Sequence, residues 1–478
     1  MYAALTGDQA SFGNATVQGV KLAAEEINAA GGILGRRVRL VIEDDQGRPD
    51  QAASVVTKLI TSDNVVAVIG ENSSNNSLAA APICQANKVP MISPSSTNPA
   101  VTEKGEYIFR VCFTDPYQGK ALAFFVKNNL KSDTAAVLID KKNDYSVGLA
   151  QFFEKEFEAL GGKITGQQSY SGGDTEFRPQ LTALKQGKPQ VLFVPGFYTE
   201  VGQIAIQARD LGINIPMVGG DGWDSPTVIE IGGKSIDGSY FSDHYFVGDP
   251  RPLVQQFVSK IKERHGKNPE ANAALGYDAL KIFAAAATRA GSFDTAKVRD
   301  QIAATKNYDG VSGMITMGAD RNPQKPVAMI KIENGAMGFA GWVNPSESAP
   351  AGPQAVLQQL YERHQPQYDK GLDFNEADQL KPYFSAELVE LFRKDSECEE
   401  RTKELCNLDF DPVFAAQDYD ESKPDLAIEP LGPDRYKVTF TNLGRRSLVY
   451  RVAQSGNEWR VSDIEYPEGG TLTSILRN

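Results

Sequence analysis

The chain is poor in cysteine, histidine and tryptophan, with four, three and three of these in 478 residues. No apolar run approaches the roughly 20 residues that cross a bilayer as a helix. Positive charge is also in deficit. Lys and Arg number 49 against 61 Asp and Glu, so the net charge of −12 disfavours attraction to phosphate backbones or anionic lipid, and nucleic acid is excluded as an expected partner. Four cysteines cannot form a disulfide scaffold, and their spacing lacks the paired C-x-x-C pattern of structural zinc sites. Cys398 and Cys406 can be bonded if a turn separates them, whereas one continuous helix would hold them too far apart. Cys84 and Cys112 read as small buried hydrophobes. No basic segment followed by an apolar run opens the chain, so no signal peptide is expected within it, as in a processed extracytoplasmic protein.

Catalytic motifs are missing too. His244, His265 and His364 are never four residues apart, which removes the helical two-histidine metal site. There is no G-x-S-x-G elbow, since Asp144-Tyr145-Ser146-Val147-Gly148 lacks the first glycine. Neither a phosphate-binding G-x-x-x-x-G-K-[ST] loop nor a G-x-G-x-x-G turn is present, so no cofactor and no metal are expected. Asp409, Asp411, Asp418 and Asp420 resemble a calcium loop, but Val413 and Phe414 stand where a ligand and the turn glycine are required. Turn and cap carboxylates are the simpler reading.

What the chain does have is alternation of short β-branched runs with helix-period segments from Arg37 to Ile332. Val38–Glu43, Val65–Gly70, Thr134–Asp140, Gln190–Gly196 and Val327–Ile332 read as strands. Between them, Val17, Val20, Ala24 and Ile27 repeat at helical steps, as do Val201, Ile204, Ala208 and Leu211. This predicts an α/β fold of parallel sheets flanked by helices over about 345 residues. Residues 344–353 are rich in Pro, Ser, Ala and Gly and read as a linker. Beyond it, helical patterns precede alternating strands (Tyr436–Thr441, Ser447–Ala453, Trp459–Tyr466), which predicts a C-terminal α+β domain.

Two hydroxyl-rich loops follow predicted core strands: Glu71-Asn72-Ser73-Ser74-Asn75-Asn76-Ser77 and Ser93-Pro94-Ser95-Ser96-Thr97. Open α/β sheets bind ligands at such strand ends, and a helix start with a serine beside it suits an anion. Ser74 and Thr97 are equally good helix caps, and Asp221, between two glycines, an equally good turn residue.

The opening Tyr2-Ala3-Ala4-Leu5-Thr6-Gly7, with Phe12-Gly13 and Ile27-Asn28-Ala29-Ala30-Gly31-Gly32-Ile33-Leu34-Gly35, resembles the leucine/isoleucine/valine-binding proteins. These are type I periplasmic solute receptors of ABC transporters. Glu43-Asp44-Asp45, Phe109-Arg110-Val111, Gly219-Gly220-Asp221-Gly222-Trp223 and Gly276-Tyr277-Asp278-Ala279 continue the resemblance in order to about residue 345. The first strand is shorter here than in that family. The resemblance implies two lobes closing by hinge motion, residues 2–115 with 248–316 and residues 116–247 with 317–345, followed by the linker 346–353 and a domain 354–478. Crossings are expected near Thr114–Pro116, Tyr245–Asp249 and Met314–Asp320.

It also assigns roles. Ser74 would bind the α-carboxylate of an amino acid, Ser95 and Thr97 would form the second carboxylate and ammonium loop, and Asp221 would receive the α-ammonium. Tyr145 would close over the ligand from the other lobe, Phe197 would form a second aromatic wall with the family's hydroxyl lost, and Phe12 would border the side-chain pocket. Asn72 and Ser73 replace apolar lining, with Glu71 before them and Asn272 near another wall, so a small or polar ligand side chain is expected. Trp223 completes the expected site. The implied protein is a monomeric, periplasmic or extracytoplasmic amino-acid receptor serving an ABC transporter permease. The alternatives are a sensory domain of the same fold and a clamp-type enzyme. Leu408-Asp409-Phe410-Asp411-Pro412 resembles a small bacterial α+β family, for which an NTF2-like cone is the expected shape.

Overall fold

The computed structural model describes residues 1–323, 325–345, 353–364, 371–402, 406–417, 426–455 and 458–477. Two compact units divide at Pro345/Ser346. The predicted linker therefore lies almost wholly outside the described residues, as do Asp418 and Asp420 of the acidic loop.

The first unit holds two lobes. In one, Val68–Ile69, Met91–Ser93 and Ile108–Arg110 form a parallel sheet, and Tyr2–Ala3 pairs in parallel with Glu43–Asp44. Val17, Val20, Ala24 and Ile27 line the buried face of the Ala10–Ala29 helix, as their spacing requires. That helix packs on Ala271–Ala290 so closely that a Cβ placed on Gly19 would lie 1.8 Å from the Ala273 carbonyl oxygen. In the other lobe seven strands run in the order Ala336–Val343, Val327–Glu333, Ser239–Asp243, Met217–Gly219, Val191–Phe193, Thr134–Asp140 and Lys163–Tyr170. Thr134–Asp140 has its predicted bounds and is buried beyond its first residue, as expected of a strand covered on both faces.

Three expectations need correction. Val327–Glu333 pairs antiparallel to Ser239–Asp243 and to Ala336–Val343, so this sheet is mixed. Of Val38–Glu43 only Glu43 enters a ladder, and of Val65–Gly70 only Val68–Ile69. Between the unpaired stretches lies a groove of about 1,040 Å³ flanked by Arg37–Val41 and Asn64–Ala67, floored by Phe283 and Phe293, with Met1 among its lining residues. β-branched residues favour extended backbone, but a ladder also needs a neighbour offering N–H and C=O groups.

In the second unit, helices precede an antiparallel sheet of Ala427–Pro430, Arg435–Thr441, Arg445–Ser455 and Glu458–Glu465 in sequential order. Val356, Leu360, Phe392, Val438, Tyr450 and Val461 belong to its core. Cys398 and Cys406 are joined by a disulfide across 6.2 Å between Cα atoms, while Cys84 and Cys112 are buried and free. Asp411 is a turn carboxylate: Oδ1 accepts the N–H groups of Val413 and Phe414, and Oδ2 lies 2.5 Å from His364 Nε2. No described helix is long and apolar enough to cross a membrane.

Candidate functional site

Phe12, Asn72, Ser74, Ser95, Thr97, Tyr145, Phe197, Asp221, Gly222 and Asn272 line one cavity between the lobes, with about 280 Å³ of space between their atoms. Eight of the ten expected site residues are thus together. Ser73 and Trp223 are not in the lining. Ser73 gives its backbone N–H to Glu71 Oε2, and Trp223 is fully buried with its indole N–H donated to the Val194 carbonyl. Glu71 also turns away, accepting the Ala4 N–H through Oε1, and burial raises its carboxyl well above the ordinary range.

At one end, the Ser74–Ala86 helix begins with the unpaired N–H groups of any first turn. Ser74 Oγ accepts the Asn98 N–H at 3.2 Å and caps nothing in its own helix, and Thr97 Oγ1 is buried without a hydrogen-bond partner. Capping falls to Asn98, whose side chain accepts from the Ala100 N–H. Two buried hydroxyls and a helix terminus therefore converge at the cavity, a donor set suited to a carboxylate.

At the other end, Asp221 follows the Met217–Gly219 strand. Its Oδ1 accepts from Gln118 Nε2 at 2.6 Å and its Oδ2 lies 3.0 Å from His244 Nε2. Burial lowers the His244 pKa, opposed by Asp221, and a neutral imidazole can meet this carboxylate only as an Nε2–H donor. Asp221 is thus aimed by two donors. Its neighbour is glycine because a Cβ on Gly220 would stand 2.3 Å from the Tyr145 hydroxyl. That hydroxyl accepts the Gly222 N–H at 3.1 Å, and the Tyr145 ring stacks on Phe197 with centroids 5.5 Å apart. Phe12 meets Phe197 edge-on at 6.0 Å.

The third wall is polar. Asn72 Nδ2 donates to Asn272 Oδ1 at 2.6 Å and lies 3.0 Å from Ser95 Oγ and 2.9 Å from Thr16 Oγ1. Ser95 Oγ also donates to Asn272 Oδ1 at 2.7 Å. The amide nitrogen of Asn272 has no protein partner among the described residues, although the residue is only 4% exposed. The contacts that join the lobes around the rim include Asp144 N–H to Asn75 Oδ1, Asn98 Nδ2 to the Asp144 carbonyl, Ser225 Oγ to Ser11 Oγ, and the Tyr198 hydroxyl to the Asp8 carbonyl.

Gln118, His244 and Thr16 have no signal in the sequence. They reach Asp221 or Asn72 across 103, 23 and 56 residues, and no local pattern marks such partners. Asp115 is a further surprise: fully buried, it is pushed up to about 8 by burial, opposed by the nearby Thr97 hydroxyl and reinforced by Asp221. A carboxyl raised in the folded state favours folding most below its unfolded value near 3.8, and this benefit is lost as pH rises through about 8. Asp115→Asn is therefore expected to gain on wild type by a few kcal/mol between pH 5 and pH 9, read as the difference in denaturant stability. A pH-independent difference would show that Asp115 does not hold a proton.

The comparisons with known proteins fit this geometry. The family model described as "Periplasmic binding protein" matches residues 1–336. The Leu/Ile/Val-binding protein homolog 2 of Brucella abortus is 33% identical over 340 residues, covering 70% of this chain and 90% of the relative. The leucine binding protein LivK of Thermotoga maritima superposes with a TM-score of 0.70 at 39% identity, over 72% of this chain and 98% of its own. LivJ of Streptococcus pneumoniae, solved with isoleucine, gives 0.69 at 32% identity over the same shares. Its lobed α/β unit, its interlobe cavity and these likenesses agree: the chain belongs to the periplasmic binding protein family, as a solute-binding protein of the leucine/isoleucine/valine-binding type and not an enzyme.

Proposed function

We propose that the interlobe cavity captures an amino acid with a small or neutral polar side chain and presents it, outside the cytoplasm, to an ABC transporter permease. The observation that carries this reading is the placement of Asp221 and the Ser74–Thr97 donor set on one enclosed cavity. A zwitterion leaving water needs both charges compensated, and these groups supply one partner for each. The three relatives named above are described for leucine, isoleucine or valine, but here Asn72, Ser95 and Asn272 would face the ligand side chain. These groups largely satisfy one another, so covering them with an isobutyl group strands the Asn272 amide nitrogen, at a cost of about 1 to 3 kcal/mol. No Lys, Arg or His lines the cavity, and Asp221 is its one carboxylate, so a charged side chain finds no counterion.

Calorimetry against a panel of amino acids tests this. Alanine, serine, threonine, asparagine or glutamine is expected to bind at least tenfold more tightly than leucine. Tight leucine binding with none of these would overturn the side-chain assignment. In this reading the receptor works as a monomer and hinges at 114–116, 245–249 and 314–320. Every residue lining the cavity belongs to the Met1–Pro345 unit, so a chain ending at Pro345 should keep its affinity within about threefold, roughly 0.65 kcal/mol. Loss of binding on that truncation would assign the C-terminal unit a part in capture.

A further inference from the structure

A second cavity, of about 860 Å³, lies beside the Ser239–Asp243 strand and is lined by Asp224, Asp243 and Glu270 together with largely apolar walls. The three carboxyl-bearing residues are only 6%, 3% and 6% exposed. Glu270 is satisfied, taking the Ser11 hydroxyl on Oε2 and Lys267 Nζ on Oε1. The other two are half satisfied. Asp224 Oδ2 accepts the Ala271 N–H and Asp243 Oδ1 the His244 N–H, both at 2.6 Å, while Asp224 Oδ1 and Asp243 Oδ2 accept no hydrogen bond among the described residues. Lys325, the other nearby cation, is directed to Ser312 Oγ at 2.8 Å.

We infer that this cavity binds a small organic ammonium, its N–H groups donating to Asp224 and Asp243 and its hydrocarbon part lying against Phe241, Tyr245, Ile330 and Met337. The two side chains are buried while each keeps an oxygen free at the cavity they line, and a cation carrying N–H groups supplies both the charge and the hydrogen bonds those oxygens lack. A hard metal ion is a poor fit, because it needs a nearly full shell of oxygen ligands and most of this wall is carbon. Burial first, and then neighbouring carboxylates, raise Asp243 well above the usual range and Asp224 to about 7, as expected of acids lacking a counterion.

The position gives occupancy a consequence. Asp224 belongs to the seven-stranded lobe and already accepts the N–H of Ala271, at the start of a helix of the other, so a bound ammonium engages a carboxylate that takes part in an interlobe contact. It also sits one residue from His244, which aims Asp221 in the first cavity.

The test uses butylammonium chloride on the full chain, with sodium chloride and tetramethylammonium chloride, which lacks N–H donors, as comparisons. Butylammonium is expected to raise the melting temperature saturably by about 2 °C or more. The comparison salts should give less than half of this. Asp243→Asn, and separately Asp224→Asn, should weaken the apparent affinity at least tenfold, whereas Asp221→Ala should leave it within threefold, which separates this cavity from the amino-acid site. No saturable rise, an equal rise with sodium or tetramethylammonium, or an undiminished rise in whichever aspartate variant folds would overturn the proposal.

Discussion

Asp221→Ala should weaken amino-acid binding by about 30-fold to several thousand-fold, the equivalent of about 2 to 5 kcal/mol for truncating one member of a buried charge pair. The structure sharpens the expectation. Gln118 and His244 both end on this carboxylate, so the alanine variant leaves two buried donors without an acceptor as well as an ammonium without a counterion. A modest fall in melting temperature should accompany the loss, with the fold retained, because the core of neither lobe rests on this loop. Asp221→Asn separates the two contributions in part: it removes the charge but keeps an acceptor oxygen for one of the two donors. Calorimetry on both variants, with circular dichroism to establish folding, gives the comparison. If the folded alanine variant binds within threefold of wild type, Asp221 serves the turn alone and the amino-acid reading falls.

Gly19→Ala should destabilise the first unit by about 3 kcal/mol or more. The added carbon would sit 1.8 Å from the Ala273 carbonyl oxygen and 3.0 Å from the Tyr277 nitrogen. Both are backbone atoms, which cannot rotate aside as a side chain can, so the Ala10–Ala29 and Ala271–Ala290 helices must separate along their contact. Overpacking of a well-filled core typically costs about 1 to 3 kcal/mol, and a clash with backbone belongs at the upper end or beyond. Gly31→Ala is the internal control, since nothing lies within 4 Å of the position its Cβ would take, although its φ of +99° adds strain of its own. Denaturant melts of the two variants should therefore differ clearly, and equal stability would mean that the helix contact is looser than these distances require.

The two outcomes bear on how far the residues themselves can be read. Thr134–Asp140 was legible because seven residues that are nearly all apolar can only be an inner strand. Val38–Ile42 was legible as extended chain but not as part of a ladder, since pairing depends on what lies alongside. In the site, Ser74, Thr97, Tyr145, Phe12 and Phe197 were reached through the order of family-like fragments, whereas composition alone left them as caps and core aromatics. Ser73 is expected in the lining because it replaces an apolar family position, and Trp223 because it ends a family-like fragment. Neither lines the cavity: the Ser73 backbone N–H goes to Glu71 and the Trp223 indole N–H to Val194. Gln118 and His244 could not be found in this way, because their role is created only when distant segments meet.

The contacts that join the lobes at the rim also set a clock. A molecule enclosed between Phe12, Tyr145 and Phe197 leaves only as bonds such as those of Asn75 and Asn98 to Asp144, Ser11 to Ser225, and Asp8 to Tyr198 are released. At about 0.5 to 1.5 kcal/mol for each hydrogen bond, their combined loss is worth several kcal/mol, and every 1.4 kcal/mol of added barrier lengthens residence about tenfold. Capture can then be fast while release waits on opening, so the rim decides how long the receptor remembers what it has caught.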